Sequence, residues 1–232
     1  NWSPKEIFFT SGGTESNNIT IKNILKPGEH LITSSIEHPA ILKPAEELQS
    51  NGIEVTYVKP NKDGSIIPES IKESIKDNTK LISIMMVNNE MGTINPIKKI
   101  SQFKKNILFH TDAVQSFGKI PLDVSDLGID LLSLSGHKFY GPKGIGILYK
   151  KAQINLKGLI TGGGQEKEIC AGTENVAGIS AIGLAAENIT KNLNENITKL
   201  TGLTKYLIDS LNENNIKFHI NGKDRVPGIL NI

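Results

Sequence analysis

In the stretch SLSGHKFYGPKGIGILYKK, Ser133 to Lys151, one lysine, Lys138, stands between an apolar run and a glycine-rich turn. An amine holds an aldehyde only when it is unprotonated, and a desolvated, cation-rich strand end moves it that way. Other groups carry matching chemistry. Gly12-Gly13-Thr14, in TSGGTESNN, offers backbone N–H groups and a hydroxyl to an anion at the positive end of a helix. The spacing is not that of a Walker loop, so a single phosphate fits better than a triphosphate. Asp112, in ILFHTDAVQSFGK, ends an apolar run, where a carboxylate needs a cationic partner or dense hydrogen bonding. A pyridinium nitrogen is such a partner. His38, in IEHPA, is a flat ring that can stack on an aromatic group and move protons. Each has a plainer reading: Thr14 as a helix N-cap, Asp112 as the cap of a following helix, His38 as structural, Lys138 as a solvated charge. His30, His110 and His219 receive only the structural reading. Taken together, a phosphate cradle, a pyridinium partner, a stacking ring and a condensing lysine are the parts that pyridoxal phosphate requires.

These groups need a frame that brings them together. Apolar runs alternate with amphipathic stretches, the pattern of βαβ units and a mainly parallel sheet. EIFFTSGG reads as a strand and turn feeding the helix TESNNITIKNIL, and HLITSSIEH as a strand before the helix PAILKPAEELQSNG, with Gly52 at its C-terminal end. IEVTYVK, KLISIMMVNNE, ILFHTDA and IDLLSLSGHK read as strands, with helices at PESIKESIKDN and PIKKISQFKKN. GIGILYKK reads as a strand returning antiparallel after a Gly-Pro turn. One long helical region is expected from about Ala177 to Asn214. The polar residues Gly12-Gly13-Thr14, Glu37-His38, Asn88-Asn89-Glu90, Asp112 and His137-Lys138 then follow successive strands, where parallel sheets collect ligands.

The 232 residues carry 26 basic and 24 acidic side chains, well mixed, with no basic block of the kind that binds nucleic acid. A single cysteine rules out an internal disulfide and fits a reducing, cytoplasmic setting. Neither a signal-peptide pattern nor a long apolar run is present, so no membrane association is expected. The chain opens without Met and ends on RVPGILNI, which reads as the start of a strand, so a piece of a longer protein is expected.

The motifs SGGTESNN, EHPAIL, NNEMGTINPI, HTDAVQSFGKIPLDV, LSLSGHKFYGPKGIGILY and GGGQEKEICAGTENV, in this order, resemble those of the cysteine desulfurases of the NifS/IscS type. These belong to the class V branch of the fold-type I pyridoxal phosphate enzymes. The resemblance implies a three-layer αβα large domain with a mainly parallel sheet, similar to aspartate aminotransferase, over residues 1–215. Residues 216–232 would begin a smaller C-terminal domain. It also implies that Lys138 holds the cofactor aldehyde, Asp112 pairs with the pyridine nitrogen and His38 stacks on the ring. Gln115 and Asn89 would hold the phenolic oxygen and the substrate side. Gly13, Thr14, Ser135 and His137 would bind the phosphate, joined by Thr173 of the partner subunit in a homodimer. The implied substrate is L-cysteine, whose sulfur passes to a cysteine thiolate as a persulfide, leaving alanine. A sulfur-acceptor or scaffold protein would then serve iron–sulfur cluster assembly or tRNA thiolation.

Two departures stand out. Cys170 occupies a dimer-loop position where the family usually has a basic residue, and the family's persulfide-forming cysteine lies on a C-terminal loop that this chain does not reach. A small buried thiol is the plain reading of Cys170, a sulfur acceptor the sharper one. Two rival functions remain at this level. One is another class V aminotransferase or lyase, and the other a non-catalytic desulfurase-like scaffold.

Overall fold

The computed structural model describes residues 3–232. Seven strands, β1 (Ile7–Thr10), β2 (His30–Ser34), β3 (Glu54–Val58), β4 (Thr79–Ser83), β5 (Leu108–Asp112), β6 (Leu131–Ser135) and β7 (Gly146–Lys150), form one sheet in the order β1-β7-β6-β5-β4-β2-β3. β3, β2, β4, β5 and β6 run parallel. β7 is antiparallel to both β6 and β1, as its Gly-Pro turn predicts, so β1 points the same way as the parallel strands. The ends of β1, β2, β4, β5 and β6 that carry polar residues therefore open on one edge.

Side-chain alternation assigns the layers. Leu31, Leu81, Leu131 and Leu148 face one side, where they meet α1 (Gly13–Ile24) and α2 (Pro39–Ser50) through Ile19, Ile21, Ile41 and Leu48. Their neighbours Ile32, Ile82, Leu132 and Ile147 face the other side. There they pack on α3 (Pro68–Glu73), α4 (Ile97–Ser101) and α5 (Val176–Lys191). Period-two burial on both faces of the strands produces the three-layer αβα arrangement. No helix among the described residues is long and apolar enough to cross a membrane.

Four elements differ from expectation, one of them the helix expected in PIKKISQFKKN, which stops at Ser101. The run KLISIMMVNNE is assigned as a strand only to Ser83, although Ile84 N–H still bonds to His110 O and Met86 N–H to Asp112 O. The helix expected in PESIKESIKDN stops at Glu73. The long helical region is two helices, α5 and α6 (Leu193–Glu213), broken at Asn192. Asn192 ends the first with its backbone N–H and its side-chain amide both on Asn188 O, competing with helix continuation as asparagine does.

At the open edge, Gly146 lies against the backbone of the first turn. A Cβ there would come within 2.5 Å of Gly12 C and 2.7 Å of Leu134 O, both main-chain atoms that cannot swing aside. Gly146→Ala is expected to cost about 1–3 kcal/mol and to loosen the β1–β7 pairing, read as a lower urea midpoint with an unchanged slope.

Candidate active site

β1 delivers the chain to Gly12, the N-cap of α1, which makes no side-chain capping bond. Thr14 is thus not the cap, and the first-turn N–H groups remain available to an anion. Gly13 has a steric reason to be glycine: a Cβ would sit 2.8 Å from Val114 Cγ2. The turn can therefore close on the loop after β5. Facing it, Ser135 Oγ and His137 Nδ1 share a hydrogen bond of 3.0 Å at the end of β6.

Asp112 ends β5 and is 7% exposed. Its Oδ2 accepts from Asn17 Nδ2 at 2.7 Å, and its Oδ1 from the Val114 N–H at 2.9 Å. No helix follows it, so it caps none. Burial pushes its carboxyl up from the ordinary value, against those two hydrogen bonds and the field of His38. A buried carboxylate without a lysine or arginine partner among the described residues is a site prepared for a cation that the fold does not supply. His38 is both things the sequence allowed: its Nδ1 accepts from the Ala40 N–H at 3.1 Å as the N-cap of α2, and its ring reaches the same cavity. The cap leaves Nε2 as the protonated nitrogen of the neutral ring.

Lys138 lies in the short 3-10 turn Gly136–Phe139. That turn is rigid at its base: Phe139 is buried edge-on against Phe117, ring centroids 4.8 Å apart, and Gly136 N–H bonds to Ile145 O. The side chains of His137 and Lys138 are exposed. This corrects the desolvated setting expected for the lysine, because the turn carries it clear of the strand end into an open cleft.

These groups line one cavity of about 430 Å³. It contains Gly13, Thr14, His38, Asn89 and Asp112, and on its other wall Gln115, Ser135, His137 and Lys138. Asn89 donates from Nδ2 to Glu90 Oε1 at 2.8 Å. Thr173 is the exception. It lines a separate cleft beside Cys170, Glu15 and Glu166. There burial, with the fields of Glu15 and Glu166, pushes the Cys170 thiol up to about 12. His30, held by Thr79 and Thr56, and His110, held by Ser83 and Ser133, are structural, and burial holds His110 at about 3.

Sequence reasoning gave no role to three residues. Asn17 lines the cavity and fixes Asp112, and its own Oδ1 is buried without a partner among the described residues. Glu37, next to His38 in sequence, is buried, accepting from Ser34 Oγ at 2.6 Å and from Met85 N–H at 2.9 Å; burial first, then the field of Asp112, raises its carboxyl to about 8. Lys119 donates to the Gln115 side chain at 2.9 Å. For Asn17 a signal existed: it is a polar residue on the inward stripe of an amphipathic helix, among Gly13, Ser16 and Thr20.

The residues fit pyridoxal phosphate. An uncompensated buried carboxylate suits a pyridinium nitrogen, a glycine-lined helix N-terminus with two hydroxyls suits its phosphate, and an accessible amine suits its aldehyde. Comparison with known proteins agrees. A model of the aminotransferase class-V family matches residues 1–232. A curated cysteine desulfurase IscS from Dictyoglomus turgidum is 46% identical over 97% of this chain and 59% of its own length. A solved NifS-like protein superposes with a TM-score of 0.92 at 38% identity, covering 97% of this chain and 64% of that one. The structure titled SspA in complex with cysteine gives 0.77 at 48% identity, over 80% of this chain and 56% of that one. The chain spans about three fifths of the length of the curated relatives it matches.

Proposed function

Because the chain belongs to the aminotransferase class-V family, whose members depend on pyridoxal phosphate, we propose that it is the cofactor-binding part of a cysteine desulfurase. The observation that carries this is the pairing across one cavity of a buried, cation-free Asp112 with an accessible Lys138. The relatives and the cysteine complex of a structural neighbour favour L-cysteine as the substrate.

When bound, the cofactor supplies an electron sink for the substrate's α-carbon. The chain does the rest. Gly13, Thr14, Ser135 and His137 bind the phosphate, completed by Thr173 of the partner subunit. Asp112 holds a proton at the ring nitrogen, and Asn17 holds Asp112. His38 stacks on the ring, its orientation fixed by the Ala40 N–H. Gln115 and Asn89 bind the phenolic oxygen and the substrate side. Lys138 Nζ would hold the cofactor aldehyde and, when free of it, would carry protons between substrate atoms. A thiolate would attack the substrate sulfur, forming the S–S bond of a persulfide as the C–S bond breaks; the electron pair stays with the carbon, whose protonation gives alanine.

In this reading the protein is a homodimer in a reducing, cytoplasmic setting. It passes sulfur to an acceptor or scaffold protein of iron–sulfur cluster assembly or tRNA thiolation. Residues 1–215 form the cofactor domain, and 216–232 begin a smaller one.

Cys170 is not the sulfur-accepting thiol. Burial pushes its thiol up to about 12, and it shares the Thr173 cleft, on the loop that in the homodimer faces the partner subunit's phosphate rather than the substrate's sulfur; such misplacement costs the step heavily. The test measures alanine and sulfide together from L-cysteine, cofactor and a reductant. The full-length protein makes both in equal amount, and Cys170→Ser changes the rate less than about twofold, within the ordinary range for a substitution away from the chemistry. Loss of both products in Cys170→Ser would make it the acceptor, and failure of the full-length protein to make either would refute the proposed activity.

A further inference from the structure

We propose that Lys119 is a positioning residue of the cofactor site: it fixes the Gln115 side-chain amide with its N–H2 toward the cavity, as a donor to the cofactor's phenolic oxygen. This rests on the function proposed above. A glutamine amide has an acceptor end and a donor end of nearly equal shape, and its neighbours decide which one faces a ligand. Here the neighbour is unambiguous. Lys119 Nζ has only protons to give, and it gives them to Gln115 Oε1 at 2.9 Å and to the Gln115 backbone O at 3.1 Å. The oxygen end of the amide is thereby committed to the lysine. What Gln115 has left for the cavity it lines is the nitrogen end. Turning the amide over would set N–H2 against an ammonium and lose a charge-assisted hydrogen bond.

Lys119 does not line the cofactor cavity. It lines a smaller one on the other side of Lys138, with Phe117, Tyr140 and, from α6, Asn196 and Lys199. The titratable groups facing it there are Lys138, Lys199 and Tyr140, and no carboxylate lines that space. Burial, then the field of Lys138, holds its amine at about 8, so it keeps its proton and its donor role at neutral pH. Its reach to the cofactor is therefore indirect, through Gln115.

The test is an absorbance titration of the protein loaded with pyridoxal phosphate, alongside borohydride mapping of the lysine that carries it. A donor on the phenolic oxygen favours its deprotonated form. Lys119→Met releases the amide, and the midpoint rises by about one unit, a tenfold gain in proton affinity, with the cofactor still on Lys138. Lys119→Arg keeps a donor and restores the wild-type midpoint. Gln115→Met raises the midpoint by itself, and adding Lys119→Met to it changes little further. A wild-type midpoint in Lys119→Met overturns the inference. So does an equal rise with and without Gln115, which would report only a lost charge. Should Lys119→Met fail to fold, Lys119→Gln replaces it, since it tolerates both amide orientations: an intermediate rise supports the inference and no rise overturns it. Cofactor on Lys138 with a Lys119-insensitive midpoint sinks this inference alone, whereas cofactor on another lysine sinks the proposed function with it.

Discussion

Replacing Lys138 by alanine in the full-length protein lowers cysteine turnover by about four powers of ten, roughly 5.5 kcal/mol at 1.36 kcal/mol per decade. The side chain is exposed and rises from a turn whose rigidity comes from Phe139, Phe117 and Gly136, not from the lysine itself. Removing it therefore changes thermal stability by less than about 0.5 kcal/mol, and any loss of activity is chemical. Lys138→Arg behaves like the alanine variant, because a guanidinium does not give up its proton. Borohydride reduction of the loaded wild type, followed by peptide mapping, places the cofactor on Lys138, and the variants incorporate none. Label on any other lysine, or substantial turnover by the alanine variant, would refute the assignment.

Asp112→Asn leaves cofactor attachment possible and slows substrate deprotonation by about two to four powers of ten, the scale of the roughly 3–5 kcal/mol set by stripping one partner from a buried ion pair. The cofactor-free protein responds in the opposite sense. The folded-state value of Asp112 lies above its ordinary 3.8. Its contribution is therefore fully present below that value and is lost as pH rises through the higher folded one. At neutral pH the empty wild type bears that loss and Asp112→Asn does not, so the empty variant melts higher. Glu37 imposes a second loss between its ordinary 4.5 and about 8, which in the variant persists through burial but is lessened by removal of the Asp112 field. Melting temperature against pH, with and without cofactor, checks all of this. A variant that melts lower when empty, or that deprotonates substrate at the wild-type rate, would return Asp112 to a structural role.

The strand ends were legible because buried parallel strands are written as continuous apolar runs, and a polar residue closing such a run is conspicuous. That logic found Asp112, His38 and the Gly12-Gly13-Thr14 turn. It could not find what fixes them. Asn17 and Asp112 meet across 95 residues of sequence, and nothing in TESNN says which amide turns inward toward the other motif. Glu37 reads as an ordinary charge beside His38, and only the fold buries it against Met85 N–H. The exposure of Lys138 was misread for a related reason: sequence reports that a strand has ended, not the angle at which the next turn leaves it. The break at Asn192 was equally hidden, since an apolar stripe at helical spacing runs on across it.

The pairing of β1 has a consequence for how the chain comes off the ribosome. Among the described strands its only partner is β7, with Ile7 opposite Tyr149. Translation at about 5–20 residues per second separates the two by on the order of ten seconds. Until β7 emerges, β1 and the Gly12-Gly13-Thr14 turn have no sheet to join. Closing so long a loop also makes this a late contact once synthesis is complete. The cavity wall to which the proposed function assigns the phosphate thus forms after the β2–β4 core, and on that proposal a nascent chain does not retain cofactor until the antiparallel strand has locked the first strand in place.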